Sequence, residues 1–186
     1  MIIKTHDITL SVDNIKLRPM SDNDFDILLK WNSDADVLYF AEGDDVESYS
    51  LEDIQYIYGQ SSKSGFCFII EFEGLPIGEC WLQKMNLKSI IEKYPNLDLR
   101  RIDITIGEKQ YWGKGIGTKV VKLLTDFGFK TEAADMIFYM PYDFNIRSCK
   151  VAERIGYKLL NKESVEDSPK AKFYLHYGMT KEDYFA

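Results

Sequence analysis

Cysteine and histidine are scarce in this chain of 186 residues, and neither is grouped. Cys67, Cys80 and Cys149 stand 13 and 69 positions apart, which fits neither a disulfide framework nor a zinc clip, so they read as reduced core residues. His6 and His176 are separated by 170 positions, so no histidine pair presents itself and no metal is expected. No apolar run approaches the roughly 20 residues of a bilayer span. The longest near the middle is Phe66-Cys67-Phe68-Ile69-Ile70. Polar residues interrupt Met1 to Leu10 where a secretion signal needs an unbroken apolar stretch, so a cytoplasmic chain without membrane contact is expected. No repeat, low-complexity tract or Pro/Gly/Ser linker breaks the chain, and residues 1–186 read as one domain. Positive charge is short too. Lys+Arg 23 against Asp+Glu 30 gives −7, which argues against a nucleic-acid partner. What is plentiful is core material, 45% hydrophobic with 14% aromatic, enough to close an interior.

The charge is uneven. Between Asn32 and Ser62 there is no Lys or Arg, while Asp34, Asp36, Glu42, Asp44, Asp45, Glu47, Glu52 and Asp53 give −8. Tyr39, Phe40, Tyr49, Tyr56 and Tyr58 are interleaved with them. Carboxylates and ring faces together suit a polycation, which makes Tyr39 and Glu42 candidate acceptor contacts. A solvated acidic loop with core tyrosines has the same composition. Trp31 and Trp81 are core residues or ligand platforms, and Trp31 joins the candidate contacts.

Periodicity sets the order of elements. Asn14 to Pro19 alternates as a strand, and Ser21 with Asp24 and Ser50 with Asp53 are capping boxes that open helices. Phe66–Phe72 and Pro76–Leu82 flank Glu73-Gly74, a hairpin signal. Leu87, Ile90, Ile91 and Tyr94 fit one face of a short helix within residues 84–98. That helix packs on its own sheet or on a second subunit, so monomer and homodimer both stay open. Leu99–Ile106 and Met136–Met140 read as strands. Asn145 caps a helix with Ile146, Cys149, Ala152 and Ile155 inward and Gly156 as its stop; Tyr157–Leu160 and Lys172–Tyr177 close as a strand pair. Strands first, then helices alternating with strands, predict an α/β (α+β) fold with a mixed sheet and helices on its faces.

The chemistry concentrates in Gln110-Tyr111-Trp112-Gly113-Lys114-Gly115-Ile116-Gly117-Thr118, three alternate glycines between a strand and an amphipathic helix. Glycines admit close backbone approach, successive N–H groups converge on an anion, and the helix N-terminus adds about half a positive charge. Residues 109–130 carry five lysines against Asp126, a net +4. A diphosphate complements this, with a tight strand-to-helix turn as the plain alternative. Neither G-x-x-x-x-G-K-[ST] nor G-x-G-x-x-G is spelled here.

Gln110-x-x-Gly113-x-Gly115 followed by an apolar helix resembles the acetyl-CoA motif Q/R-x-x-G-x-G/A of the GNAT N-acetyltransferases. The likeness runs from the first strand through Glu71–Gly78 to Asn145-x-Arg147-Ser148 and Gly156-Tyr157. It implies a mixed, mostly antiparallel sheet splayed at the acetyl-CoA site. Pantetheine would bond backbone groups of Ile104, Thr105 and Ile106, Asn145 would contact the same arm, and the diphosphate would sit on Gly113 to Gly117, beside Gln110, Lys114, Ile116 and Thr118. Within the family, Trp31-Asn32-Ser33-Asp34 to Tyr39, Ser50 to Ile54, Pro76-Ile77-Gly78, Ile102-Asp103, Ile106-Gly107-Glu108 and Tyr111-Trp112 resemble the aminoglycoside 6′-N-acetyltransferases. There the aspartate matched by Asp103 lies at the acceptor amine and is the proposed base. Two departures stand out. Ala152 replaces a tyrosine placed to protonate the leaving thiolate, and Ser148 with Val151 to Tyr157 resembles the RimJ/RimL-type enzymes that acetylate protein N-termini.

These residues give an expected reaction, acetyl transfer from acetyl-CoA to a small-molecule amine. Asp103 orients the ammonium and relays its proton, or instead pairs with Arg100 or Arg101 as a strand-end salt bridge. For the thiolate the candidates are Ser148, Tyr142 and water. A protein N-terminal acetyltransferase and a non-catalytic acyl-CoA sensor are the alternative functions.

Overall fold

The computed structural model describes residues 1–42, 46–166 and 168–186, so Asp44 and Asp45 of the acidic segment lie outside the described residues. Glu73 and Gly74 take φ of 52° and 80°, as a two-residue type I′ turn requires, and join β3 (Gly65–Phe72) to β4 (Leu75–Lys84). β2 (Ile15–Pro19) extends the sheet beyond β3, and β1 (Leu10–Val12) lies outside it. On the other side β4 pairs antiparallel with β5 (Leu99–Ile106), which runs parallel to β6 (Met136–Tyr139). β8 (Phe173–Thr180) and then β7 (Lys158–Ser164) complete the order β1-β2-β3-β4-β5-β6-β8-β7 among the described residues. The sheet is mixed and mostly antiparallel.

Helices cover both faces. α5 (Ile116–Lys130) buries Ile116, Val120, Leu124 and Phe127 on one face, with α6 (Ile146–Ile155) beside it and α7 (Lys181–Phe185) at the chain end. α1 (Phe25–Trp31) and α3 (Leu51–Ser64) lie on the opposite face, over Cys67 and Ile69. The box at Ser50 closes in both directions, Asp53 N donating to Ser50 Oγ at 3.2 Å and Ser50 N to Asp53 Oδ2 at 2.9 Å. Ser21 opens a short 3-10 turn, Asp22–Asp24, ahead of α1. α4 (Lys88–Lys93) rests on its own sheet through Ile90 against Leu99, Met136 and Phe138. The three cysteines are free and buried.

Two local expectations change. The acidic segment contains α2 (Ala35–Ala41), started by Asp34, whose Oδ1 accepts from Asp36 N at 2.9 Å. Ile146, expected inward, is 56% exposed because it occupies the first position of α6, outside the Cys149–Ala152 contact row. On the α1/α3 face two separate apolar clusters, one under α1 and α3 and one under α4, leave a strip of polar side chains between them. Glu79, Trp81, Arg101 and Asp103 stand in that strip, because alternate residues of β4 and β5 face the same side.

Gly78 shows how closely β4 and β5 approach beside the strip. A Cβ there would lie 2.2 Å from the Thr105 carbonyl oxygen, a backbone atom that cannot rotate away. Overpacking of this kind costs about 1–3 kcal/mol. Gly78→Ala should lower Tm by roughly 5 °C in a thermal melt, and an unchanged Tm would show that the two strands have room to part.

Candidate active site

β5 and β6 share four rungs, from Leu99↔Met136 to Ile102↔Tyr139, and separate there. The cause is local. Pro141 has no N–H for a further rung, and the chain after Tyr139 follows β8 instead, with Leu175 N donating to Pro141 O at 2.9 Å and Tyr142 bridged to Tyr174. Among the described residues Asp103 to Ile106 therefore lack a strand neighbour on that side, and a cavity of about 350 Å³ opens beside them. Ile104, Thr105 and Ile106 form one wall, Gly113, Gly115, Ile116, Gly117 and Thr118 a second, and Tyr139, Asn145 and Ser148 a third.

Gly113 and Gly115 take φ of 75° and 77°, left-handed values that a side chain would strain, and Gly115 caps α5. Trp112 Nε1 donates to Ile106 O at 2.7 Å and pins the loop to the strand end. An open strand edge facing a glycine-lined helix N-terminus fits an amide-bearing arm that ends in a diphosphate, which is the form of coenzyme A. Gln110 and Lys114 do not line this cavity. Gln110 is exposed with Nε2 3.4 Å from Glu108 Oε2, and the Lys114 ammonium lies over the Tyr111 ring at 5.2 Å.

Local positive charge comes from an unexpected helix. Lys109 pairs with Asp34 and Asp36 and Lys119 with Asp13, while Lys122 and Lys130 share Asp126, so acids from outside the segment match part of the lysine excess after β5. The cations lining the cavity are Arg147, Lys150 and Arg154, along one side of α6. The Arg147 guanidinium stacks on Phe40 at 4.3 Å and on Trp112 at 4.6 Å. Asn145 caps α6 by accepting from Ser148 N at 3.1 Å and donates through Nδ2 to Phe40 O at 3.0 Å. These contacts hold α2 against the cavity, where Val37, Phe40 and Ala41 form part of the lining.

The polar strip lies on the other face of the gap. Asp103 forms a bidentate pair with Arg101, Nε to Oδ2 at 2.8 Å and Nη2 to Oδ1 at 2.6 Å, and accepts from Trp81 Nε1 at 2.7 Å. Arg100 turns to Asp98 and Glu132. Glu79 is 3% exposed, and its Oε2 has no hydrogen-bond partner among the described residues. Burial pushes its carboxyl up to about 8; the Asp103 charge adds to the rise while the Thr105 and Tyr58 hydroxyls oppose it. Glu42 neighbours the Tyr49 hydroxyl, which also senses Tyr142. Tyr39 is 48% exposed and carries the Lys170 ammonium 4.9 Å from its ring centroid. Trp31 is 1% exposed with its Nε1 on Glu108 Oε1 at 2.9 Å, so it packs the core beneath the site and offers no surface to an acceptor. Ser148 Oγ is 2.5 Å from the Tyr139 hydroxyl, a partner the sequence reading did not single out.

A mixed sheet splayed at one parallel pair, with a helix N-terminus aimed into the gap, is the frame of an acyl-CoA-dependent transferase. Residues 14–158 match the sequence model of the acetyltransferase (GNAT) domain, and the chain belongs to that family. It is 25% identical over 173 residues to aminoglycoside N(6′)-acetyltransferase type 1 of Klebsiella pneumoniae, spanning 90% of this chain and 86% of that protein. Its fold matches AAC(6′)-Ib in complex with ribostamycin and coenzyme A, with TM-score 0.79, 22% identity and coverage of 93% and 97%. It also matches spermidine N-acetyltransferase from Vibrio cholerae in complex with CoA and spermine, with TM-score 0.74, 16% identity and coverage of 93% and 99%. The protein is an N-acetyltransferase that uses acetyl-CoA. No helix of the described residues is long and apolar enough to cross a membrane, and none of their His, Cys, Asp and Glu side chains group as a metal site.

Glu79 makes stability depend on pH. Its carboxyl holds a proton more tightly folded than unfolded, so its contribution is complete below the ordinary carboxylate range and is lost as pH rises towards 8. Between pH 5 and pH 9 the wild-type Tm should therefore fall relative to Glu79→Gln by roughly 5 °C or more. Parallel Tm profiles of the two proteins would remove Glu79 as the cause.

Proposed function

We propose that the acceptor is a primary amine on a polycationic small molecule, of which an aminoglycoside bearing a 6′-amine is the type, with antibiotic resistance as the biological outcome. One observation supports this above others. Beyond the gap, the Asp103 carboxylate, the protonated Glu79 carboxyl and the nearby Glu42 stand among Trp81, Tyr49, Tyr58, Tyr142 and Tyr174. Such a surface gives ammonium groups carboxyl oxygens as hydrogen-bond acceptors and ring faces. The name of the Klebsiella relative agrees with it.

Acetyl-CoA supplies the acetyl group as an activated thioester. Its arm would lie along Ile104 to Ile106, its diphosphate on the amides from Gly113 to Gly117, and its negative charge would meet Arg147, Lys150 and Arg154. The acceptor nitrogen has to be neutral to attack. An alkylammonium titrates near 10.4, so freeing its lone pair at pH 7 costs about 5 kcal/mol. Asp103 orients that ammonium and relays its proton. Arg101 and Trp81 fix the carboxylate, while among the described residues Oδ1 receives one bond, from Arg101, and keeps lone-pair capacity towards the strip. Glu79, across from Thr105 on the neighbouring strand, supplies a second carboxyl beneath the amine.

A peptide-end acceptor is the competing reading, and it needs a cleft open to a chain. α2 borders the cofactor cavity and is tied down by Asn145 and Arg147, while Lys170 packs over Tyr39 and Phe144 at the rim. That enclosure favours a compact acceptor.

A thiol-release assay on aminoglycosides, polyamines and peptide N-termini, each with acetyl-CoA, tests the reading. Turnover should be greatest on polycationic small amines, and efficient acetylation of peptides with none on those amines would overturn it. In the same assay Asp103→Asn should lower kcat/KM by about 10²–10⁴ while calorimetry shows the acetyl-CoA dissociation constant within about twofold of wild type.

A further inference from the structure

β5 carries two adjacent arginines, and strand alternation sends them to opposite sides of the sheet. Arg100 turns to Asp98 and Glu132, whereas Arg101 enters the polar strip beside Asp103. The Arg101 side chain is 15% exposed, and each of its nitrogens is engaged. Nε and Nη2 donate to Asp103, Nη1 donates to Asn86 Oδ1 at 3.2 Å, and the Tyr174 hydroxyl lies 3.4 Å from Nη2. Burial works against its charge and Asp103 with Tyr174 outweighs it, so Arg101 is a cation at every pH at which the protein works.

The two oxygens of Asp103 are not equivalent. Oδ2 accepts from Arg101 Nε at 2.8 Å and from Trp81 Nε1 at 2.7 Å, with Gln83 Nε2 3.5 Å away. Oδ1 accepts from Arg101 Nη2 at 2.6 Å, and among the described residues its other lone pair is the open one. An acceptor nitrogen bonded there would stand about 4–5 Å from Nη2, given ordinary hydrogen-bond lengths. The other titratable groups that face the pair are Cys67 on β3, Glu79 on β4, Tyr139 on β6, Tyr142, and Tyr174 on β8. Burial holds Cys67, Glu79, Tyr139 and Tyr174 protonated at neutral pH, which leaves Asp103 and Arg101 as opposed charges.

A carboxylate alone binds an ammonium well and, for the same reason, makes it harder to deprotonate. A fixed cation within about 5 Å of the nitrogen acts the other way, by on the order of two pH units at the effective dielectric of such a site. Resting on the acceptor reading above, we propose that Arg101 enables the bound amine to give up its proton: its charge offsets that of Asp103, so the nitrogen is held in place without being held as an ammonium. One proton of the ammonium passes through Asp103 to solvent. The neutral nitrogen then attacks the thioester carbon, and as the nitrogen–carbon bond forms the carbon–sulfur pair leaves on sulfur. The second proton, lost as the amide forms, finishes on the thiolate. Arg101 keeps its own protons and acts through Asp103, as a positioning residue.

Steady-state kinetics at pH 7 in saturating acetyl-CoA separate this role from a structural one. The acceptors are an accepted primary amine and its analogue fluorinated beside the reacting nitrogen, which is already neutral at that pH. With the ordinary amine, Arg101→Gln should lower kcat roughly 10- to 100-fold and lower KM about tenfold, since an unopposed carboxylate binds the ammonium more tightly and releases its proton less readily. With the fluorinated amine, kcat of the same variant should stay within about threefold of wild type, and Arg101→Lys, which keeps the charge, should restore kcat on the ordinary amine to a similar margin. If Arg101→Gln fails to fold, Arg101→Met, which preserves the volume of the stem, carries the same comparison. A rise in KM, or an equal loss of kcat on both amines, overturns the proposal and leaves the acetyltransferase reading intact. Absence of wild-type turnover on any primary amine overturns the acceptor reading with it.

Discussion

Beyond Ile102 and Tyr139 two adjacent parallel strands stop sharing hydrogen bonds, and the functional geometry of the molecule descends from that separation. Backbone groups inside a protein are normally paired, so a strand running on without its neighbour is an exception that a ligand can satisfy. Here the exception has a covalent origin, the missing N–H of Pro141, and a tertiary one, the pull of β8 on the chain through Leu175. The gap joins two faces of one sheet. On one face α5 and α6 frame the cavity; on the other, interruption of the apolar packing leaves carboxyl groups and aromatic rings.

The two chambers divide the electrostatics. The chain is acidic overall, yet the cavity beside β5 is lined by three cations from α6. Of the lysines following β5, Lys109 and Lys119 pair with acids from distant segments, Lys109 between Asp34 and Asp36. Ion pairs of this exposed kind contribute little stability each. Arg147, Lys150 and Arg154 are the cations that line the cavity.

Much of this frame was legible in the residues. The Glu73-Gly74 turn, the boundaries of Leu99–Ile106, the Ser50 box and the glycine-to-helix junction depend on local chemistry, and local chemistry is what a sequence displays. α2 was hidden because Ala35–Ala41 mixes an acid and aromatics without a clean stripe; the N-cap at Asp34 was its visible sign. Arg147, Lys150 and Arg154 recur at helical spacing and could have been placed on one side of α6, but only tertiary packing shows which wall that side meets. Tyr139 sits in a short, wholly buried strand, where alternation cannot distinguish the two faces. Trp31 is the opposite case. The residue type allowed either a core position or a ligand platform, and the packed interior beneath β3 and β4 takes up its ring.

α2 is a party wall. Phe40 contributes its ring to the stack on Arg147 and its carbonyl oxygen to Asn145, while the neighbouring Tyr39 packs edge-on against Phe40 and lies under the Lys170 ammonium. Under the proposed function, natural variation along these seven residues has little freedom to retune the preference for one reactant while leaving grip on the other untouched, so divergence in acceptor choice has more latitude in strands and loops that border a single compartment.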